Sequence, residues 1–150
     1  MFHLSVIIPA YMSRAEHLEM VLRCRQSVAQ TIDPARSEIL IQDDASPAYD
    51  GSKLLGRGCQ RNPDNLGFPG NCNAAAYRAR GEVLLFLNQD CWAIHQGWDE
   101  SLCDFFEFHC FGVVAHGVFP RAWSGLMSSH GDNTVVQDDY ADVSFVIGNV

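Results

Sequence analysis

Three short polar clusters in this 150-residue chain each follow an apolar run. Pro9-Ala10-Tyr11 follows Leu4 to Ile8, Asp43-Asp44-Ala45-Ser46 follows Ile39 to Ile41 with Gln42 between, and Asn88-Gln89-Asp90 follows Val83 to Leu87. A carboxylate at the end of a buried strand is well placed to hold a metal ion and, through it, phosphate oxygens. Asp90 offers such a ligand. Mg²⁺ and Mn²⁺ favour oxygen ligands, and a phosphate-bound Mg²⁺ takes only one or two carboxylates from a protein. Asp43 or Asp44 offers an acceptor to a nucleobase N–H, and the Tyr11 ring offers a surface for a base. Each cluster alone is better explained as turn chemistry, or as a core-edge ring in the case of Tyr11. Together they suggest a pocket, provided that the fold brings them to one edge.

The elements that must do this can be read from periodicity and from turn residues. Leu4 to Pro9 reads as a buried strand that Pro9 ends, because proline cannot donate to a sheet ladder. Ser13 and Glu16 have capping-box spacing for a helix that runs to about Gln30, with Leu18, Val21, Leu22, Cys24 and Val28 on its apolar side. Glu38 to Gln42 is the second strand. A helical turn around Ser52 to Leu55 and a short third strand at Cys59 to Arg61 follow. Asn71 to Arg80 is a small-residue helix stopped by Gly81. Val83 to Leu87 is apolar at consecutive positions, which suits a strand covered on both faces. Trp98 opens a further helix, with Trp98, Leu102, Phe105, Phe106 and Phe108 as core candidates. Gly112 to Ala115 and Val143 to Ile147 read as strands, and Arg121 to Asn133 as turns. This alternation predicts a mostly parallel sheet with helices on both faces. Parallel strands aim their carboxyl ends at one face, where ligands of such sheets sit.

Composition bounds the function classes. The formal net charge of −8 argues against nucleic-acid binding through a basic surface, but not against a phosphorylated ligand held through a cation. Six cysteines without a Cys-x-x-Cys pair predict reduced thiols, several in the core. No apolar run is long enough to span a bilayer, so the expected location is cytoplasmic, with membrane association through a further region left open. No linker or repeat divides the chain, so residues 1–150 are expected to form one domain.

Val6-Ile7-Ile8-Pro9-Ala10-Tyr11, Asp43-Asp44-Ala45-Ser46, Asn65-Leu66-Gly67-Phe68, Asn71-Cys72-Asn73-Ala74-Ala75 and Phe86-Leu87-Asn88-Gln89-Asp90 together resemble the motifs of family 2 glycosyltransferases, in the family order. The resemblance covers Leu4 to about Trp98 and continues weakly to Val143–Gly148. It implies a GT-A (Rossmann-like) α/β fold, a mostly parallel sheet flanked by helices, ending here before the acceptor region. It also implies a nucleotide-diphosphate sugar as donor. Asp43 and Asp44 match aspartates of which at least one contacts the base. Pro9, Ala10 and Tyr11 match the loop lining the base, Asn65 and Gly67 a loop near the nucleotide, and Asn73 the polar position opening the next helix. Arg61 precedes that loop, within reach of base or phosphate. Asn88-Gln89-Asp90 matches the Asp-x-Asp motif, with Asp90 as ligand to Mg²⁺ or Mn²⁺ and Asn88 as a ribose or water contact. Met12 departs from the Asn common there, and Ala75 from a common Gly. No residue is assigned as catalytic base; Asp138, Asp139 and Asp142 precede the last expected strand and read better as a solvated acidic loop.

The expected function is therefore an inverting, metal-dependent glycosyltransferase acting on an unknown acceptor (saccharide, lipid or protein). The alternative is a degenerate GT-A domain serving as a nucleotide-binding or assembly module, with self-association into a homo-oligomer as its mark. A nucleotidyltransferase is disfavoured, because Pro9 to Ser13 contains no glycine for a phosphate loop.

Overall fold

The computed structural model describes residues 2–93, 95–108, 114–115 and 127–128. Four strands, β1 (Phe2–Ala10), β2 (Ser37–Asp43), β3 (Cys59–Arg61) and β4 (Gly81–Phe86), form one parallel sheet in the order β3-β2-β1-β4. Helices α1 (Ala15–Thr31), α2 (Gly51–Leu54), α3 (Gly67–Ala76) and α4 (Trp98–Phe108) connect and follow them. A second, two-stranded antiparallel sheet pairs β5 (Val114–Ala115) with β6 (Met127–Ser128).

Strand alternation splits the core into two layers. Leu4, Val6 and Ile8 of β1 pack with Val21, Cys24 and Val28 of α1 and Trp98 of α4. Ile7 faces the other way and packs with Leu40, Phe86 and the small residues Cys72 and Ala75 of α3. Helices thus cover both faces, as the alternation of elements predicts. Small side chains on α3 let its backbone lie close to the sheet.

Several boundaries differ from expectation, each for a local reason. Pro9 does not end β1, which runs on to Ala10 in register with Asp43. The β1–β4 ladder stops at Ile7 and Phe86, so the donor that Pro9 lacks falls where β4 no longer pairs. The Ser13–Glu16 capping box is absent: α1 starts at Ala15 with no side-chain cap, and Ser13 instead contacts His17 Nδ1. Leu22 is exposed, not part of the apolar side. α3 begins four residues before the expected Asn71 and ends at Ala76. Gly81 is no helix stop but the first residue of β4, where an added Cβ would meet Ser5 N at 2.4 Å. β4 is not covered on both faces throughout, since Leu84 is exposed and only its last residues, Leu85 and Phe86, are buried. The pairing of 114–115 is antiparallel, with a strand inside the stretch expected to be turns. The expected strand at 143–147 lies outside the described residues. No described helix is long and apolar enough to cross a membrane.

Candidate functional site

The carboxyl ends of the strands form a rim, and backbone bonds extend the ladders onto it. Register places Ala10, Asp43 and Arg61 in one row across β1, β2 and β3. Past the strand ends, Asp44 N donates to Ala10 O at 2.9 Å and Leu87 N donates to Ile7 O at 2.8 Å. Tyr11 N then donates to Gln89 Oε1 at 2.9 Å, tying the loop after β1 to the turn after β4. Asp44 and the Asn88-Gln89-Asp90 turn are therefore both fastened to the end of β1, on the same side of the molecule.

The two aspartates of β2 have different surroundings. Asp43 is fully buried, and both its oxygens are occupied: Oδ1 by the N–H and hydroxyl of Ser46, Oδ2 by Gly51 N at 2.9 Å and Arg61 Nη1 at 2.6 Å. Arg61 also donates to Ser46 O at 3.0 Å and Tyr49 O at 3.4 Å, so its guanidinium is spent on the loop after β2. Ala45 between them takes φ 53°, a left-handed conformation that costs a non-glycine residue about 1 kcal/mol. The bonds that Ser46 makes to Asp43 and accepts from Met12 N offset this. Asp44 is also buried, but only Oδ1 is engaged, by Asn62 Nδ2 and Leu66 N, each at 2.8 Å. No described residue donates to Asp44 Oδ2.

The other candidate residues surround these two. Asn65 donates from Nδ2 to Asp44 O at 3.3 Å and accepts Gly67 N at 3.1 Å, shaping the entry to α3. Gly67 takes φ 72°, which favours glycine. Pro9 and Ala10 are buried in the strand, while the Tyr11 ring is exposed at the rim. Asn73 is half-buried on α3 and Asn88 half-buried after β4. Met12, at the position that departs from the family pattern, is a fully buried core side chain. Asp90 is exposed, and the contact of its carboxylate is the Cys91 thiol at 3.9 Å.

The sequence model of the family described as glycosyl transferase family 2 matches residues 5–134. The chain belongs to glycosyl transferase family 2. No curated protein matches it. In fold, this family 2 chain is similar to TarS 1-349 of S. aureus, with TM-score 0.58 and 22% identity over 78% of this chain and 42% of that one. The TarS 1-349 complex with UDP-GlcNAc gives TM-score 0.60 and 23% identity, over 81% and 37%. The mannosyltransferase PcManGT of Pyrobaculum calidifontis, in complex with GDP-Man and Mn²⁺, gives 0.63 and 17%, over 80% and 36%. At these identities the likeness establishes the fold, which is GT-A. The chain spans less than half the length of these neighbours.

Two thiols lie beside the turn of this family 2 chain that carries Asp90. Burial pushes the Cys24 thiol up to about 12, with Cys91 and Asp90 adding to the rise. Cys91 is pushed up by burial and then by Asp90. Both are protonated at neutral pH and poor ligands for a cation. The described cysteines, Cys24, Cys59, Cys72, Cys91 and Cys103, are free.

Sequence reasoning passed over four amides of the site. In the sequence Gln89 is only the middle residue of the Asn88-Gln89-Asp90 motif, and Gln42, Asn62 and Asn71 carry no site role, yet the last three are buried and bonded to one another beneath Asp44. Their one sequence signal was polarity at strand ends and in a small-residue helix, which turn chemistry explains equally well.

Proposed function

We propose that this chain binds a nucleoside-diphosphate sugar at the carboxyl rim of its sheet, as the donor part of an inverting glycosyltransferase. The observation that carries the reading is Asp44: a buried carboxylate with an oxygen to which no described residue donates, on the rim that also holds Tyr11 and Asp90. A buried acceptor left open is a place for a ligand N–H. Asp44 Oδ2 takes the base, with the Tyr11 ring against its face. Pro9 and Ala10 form the floor, Asn65 and Gly67 the adjoining wall, and Asn73 and Asn88 are the nearby polar contacts. Asp43 and Arg61 hold the loop instead of touching the nucleotide, because both Asp43 oxygens and both terminal nitrogens of Arg61 already have partners in that loop or in each other.

The residues present fit a divalent cation of the kind that travels with its substrate. Among the described residues no three His, Cys, Asp or Glu side chains form a metal cluster. Asp90, an exposed carboxylate whose described contact is the weak Cys91 thiol, would be the residue that holds Mg²⁺ or Mn²⁺. When bound, such a cation neutralises charge on the departing diphosphate. In the transfer, an acceptor hydroxyl attacks the anomeric carbon, the bond from that carbon to the diphosphate breaks, and a general base takes the hydroxyl proton. The described residues supply the donor side of this reaction. Asp138, Asp139 and Asp142 lie outside them. UDP-GlcNAc and GDP-Man in the structural neighbours, the latter with Mn²⁺, support this donor class.

Calorimetry with UDP and GDP, each with and without Mn²⁺, tests the proposal. Binding of at least one, tightened by Mn²⁺ in the wild type and not in Asp90→Ala, is the expected result. No binding of either by the folded wild-type chain would sink it.

A further inference from the structure

The carboxylate of Asp44 stands at the end of a chain of side chains whose direction is fixed from both ends. Arg78 is the far end. It donates from Nη2 to Ile41 O at 2.6 Å and from Nη1 to Gly58 O at 3.2 Å, and its Nε donates to Gln42 Oε1 at 3.2 Å. A guanidinium only donates, so the oxygen of Gln42 must face it. The amide nitrogen of Gln42 then points at Asn62 Oδ1, at 2.7 Å. That in turn directs Asn62 Nδ2 to Asp44 Oδ1 at 2.8 Å and to Asn71 Oδ1 at 2.9 Å. Asn71 closes the cluster by donating to Gln42 O at 2.9 Å. An ionised carboxylate only accepts. A donor-only group at one end and an acceptor-only group at the other leave each intervening amide one orientation. Gln42, Asn62, Asn71 and Asp44 are all at least nine-tenths buried, so water offers little alternative.

We infer that Arg78, Gln42 and Asn62 are positioning residues for the donor site, a polarity relay that holds Asp44 Oδ1 so that Oδ2 stays free for the ligand. This rests on the nucleotide-binding reading above. The relay touches no ligand itself; it acts through Asp44. Its members come from β2, the residue after β3 and the turn after α3, so it also ties the ligand acceptor to the sheet and to α3.

Gln42→Glu separates this role from a structural one. The change replaces an amide nitrogen by oxygen, keeps the shape, and gives Arg78 a charged partner. It removes the donor to Asn62 and sets two oxygens against each other, which favours reversal of the Asn62 amide and presents its oxygen to Asp44. The expected result is a chain that still melts cooperatively, at a lower temperature than wild type because buried oxygens face each other, together with about tenfold weaker binding of whichever of UDP and GDP the wild type binds. A folded Gln42→Glu chain that binds as tightly as wild type overturns the relay and leaves the nucleotide reading intact. Wild-type protein that binds neither nucleotide overturns both. The wild-type chain gives a second check by NMR: the Asn62 Nδ2 protons should exchange with solvent far more slowly than those of exposed Asn65. Equal exchange overturns the relay whatever the variants do.

Discussion

At the scale of single residues, neighbours with identical side chains have opposite duties. Asp43 and Asp44 are consecutive and both buried, yet among the described residues Asp43 has donors on both oxygens while Asp44 has donors on one. Substitution should separate them. Asp43→Ala removes the partner of Arg61 and leaves Gly51 N and Ser46 without an acceptor. It should destabilise the protein by about 3 kcal/mol, read as a lower midpoint in urea. Asp44→Asn keeps the shape and an acceptor for Asn62 and Leu66. It should leave the urea midpoint nearly unchanged and weaken nucleotide binding about tenfold or more. If the two variants exchanged these effects, the assignment of roles would be reversed.

At the scale of elements, the site depends on how closely β4 lies against β1. Gly81 opens β4 opposite Phe2, with Ser5 N, Leu4 C and Ser5 Oγ all within 2.8 Å of where a Cβ would stand. Backbone cannot yield as a flexible side chain would. Gly81→Ala should therefore cost about 2 kcal/mol or more and shift the start of β4. Chemical denaturation measures the cost, and amide exchange across Val83 to Phe86 should rise with it. If Gly81→Ala matched wild type in both, the close approach would be wrong. The same strand shows why its burial was misjudged. Five consecutive apolar residues suggest cover on both sides, but in the described sheet β4 pairs only with β1, and α3 packs over β1 and β2. Leu84 is left exposed by that offset.

At the scale of the whole molecule, the end of the sheet opposite the rim holds an ion pair that sets sensitivity to acid. Burial raises the pKa of Glu38, but hydrogen bonds from Arg80 and Ser5 and the charge of Arg80 outweigh it, and the carboxyl is held below its usual 4.5. A carboxyl whose pKa is lower in the folded chain contributes stability above its unfolded pKa, and that contribution is lost as pH falls through the folded value. Stability should thus decline as pH drops below about 4.5, and Glu38→Gln should flatten that decline while lowering stability at neutral pH. Urea midpoints at pH 7 and in mild acid measure both, and an unchanged acid limb in Glu38→Gln would exclude the pair as a contributor. Ser5 Oγ donates to Glu38 and accepts Gly81 N, so this network couples β1, β2 and β4 far from the ligand rim.

The sequence by itself determined the α/β order, the parallel sheet and the three polar clusters at strand ends. Those signals are local: apolar runs set strands, and Asn, Asp, Gly and Pro set the breaks between them. The family motifs follow the same local logic, which is why the GT-A fold was legible. Only the tertiary structure decided which aspartate keeps a free oxygen, since Asp43 is saturated by Ser46, Gly51 and Arg61, and Asp44 is held by Asn62 and Leu66. It alone showed that Gln89 reaches Tyr11 N across 78 positions of chain. Hydrogen-bond saturation is a property of neighbours in space, and no periodicity along the chain encodes it.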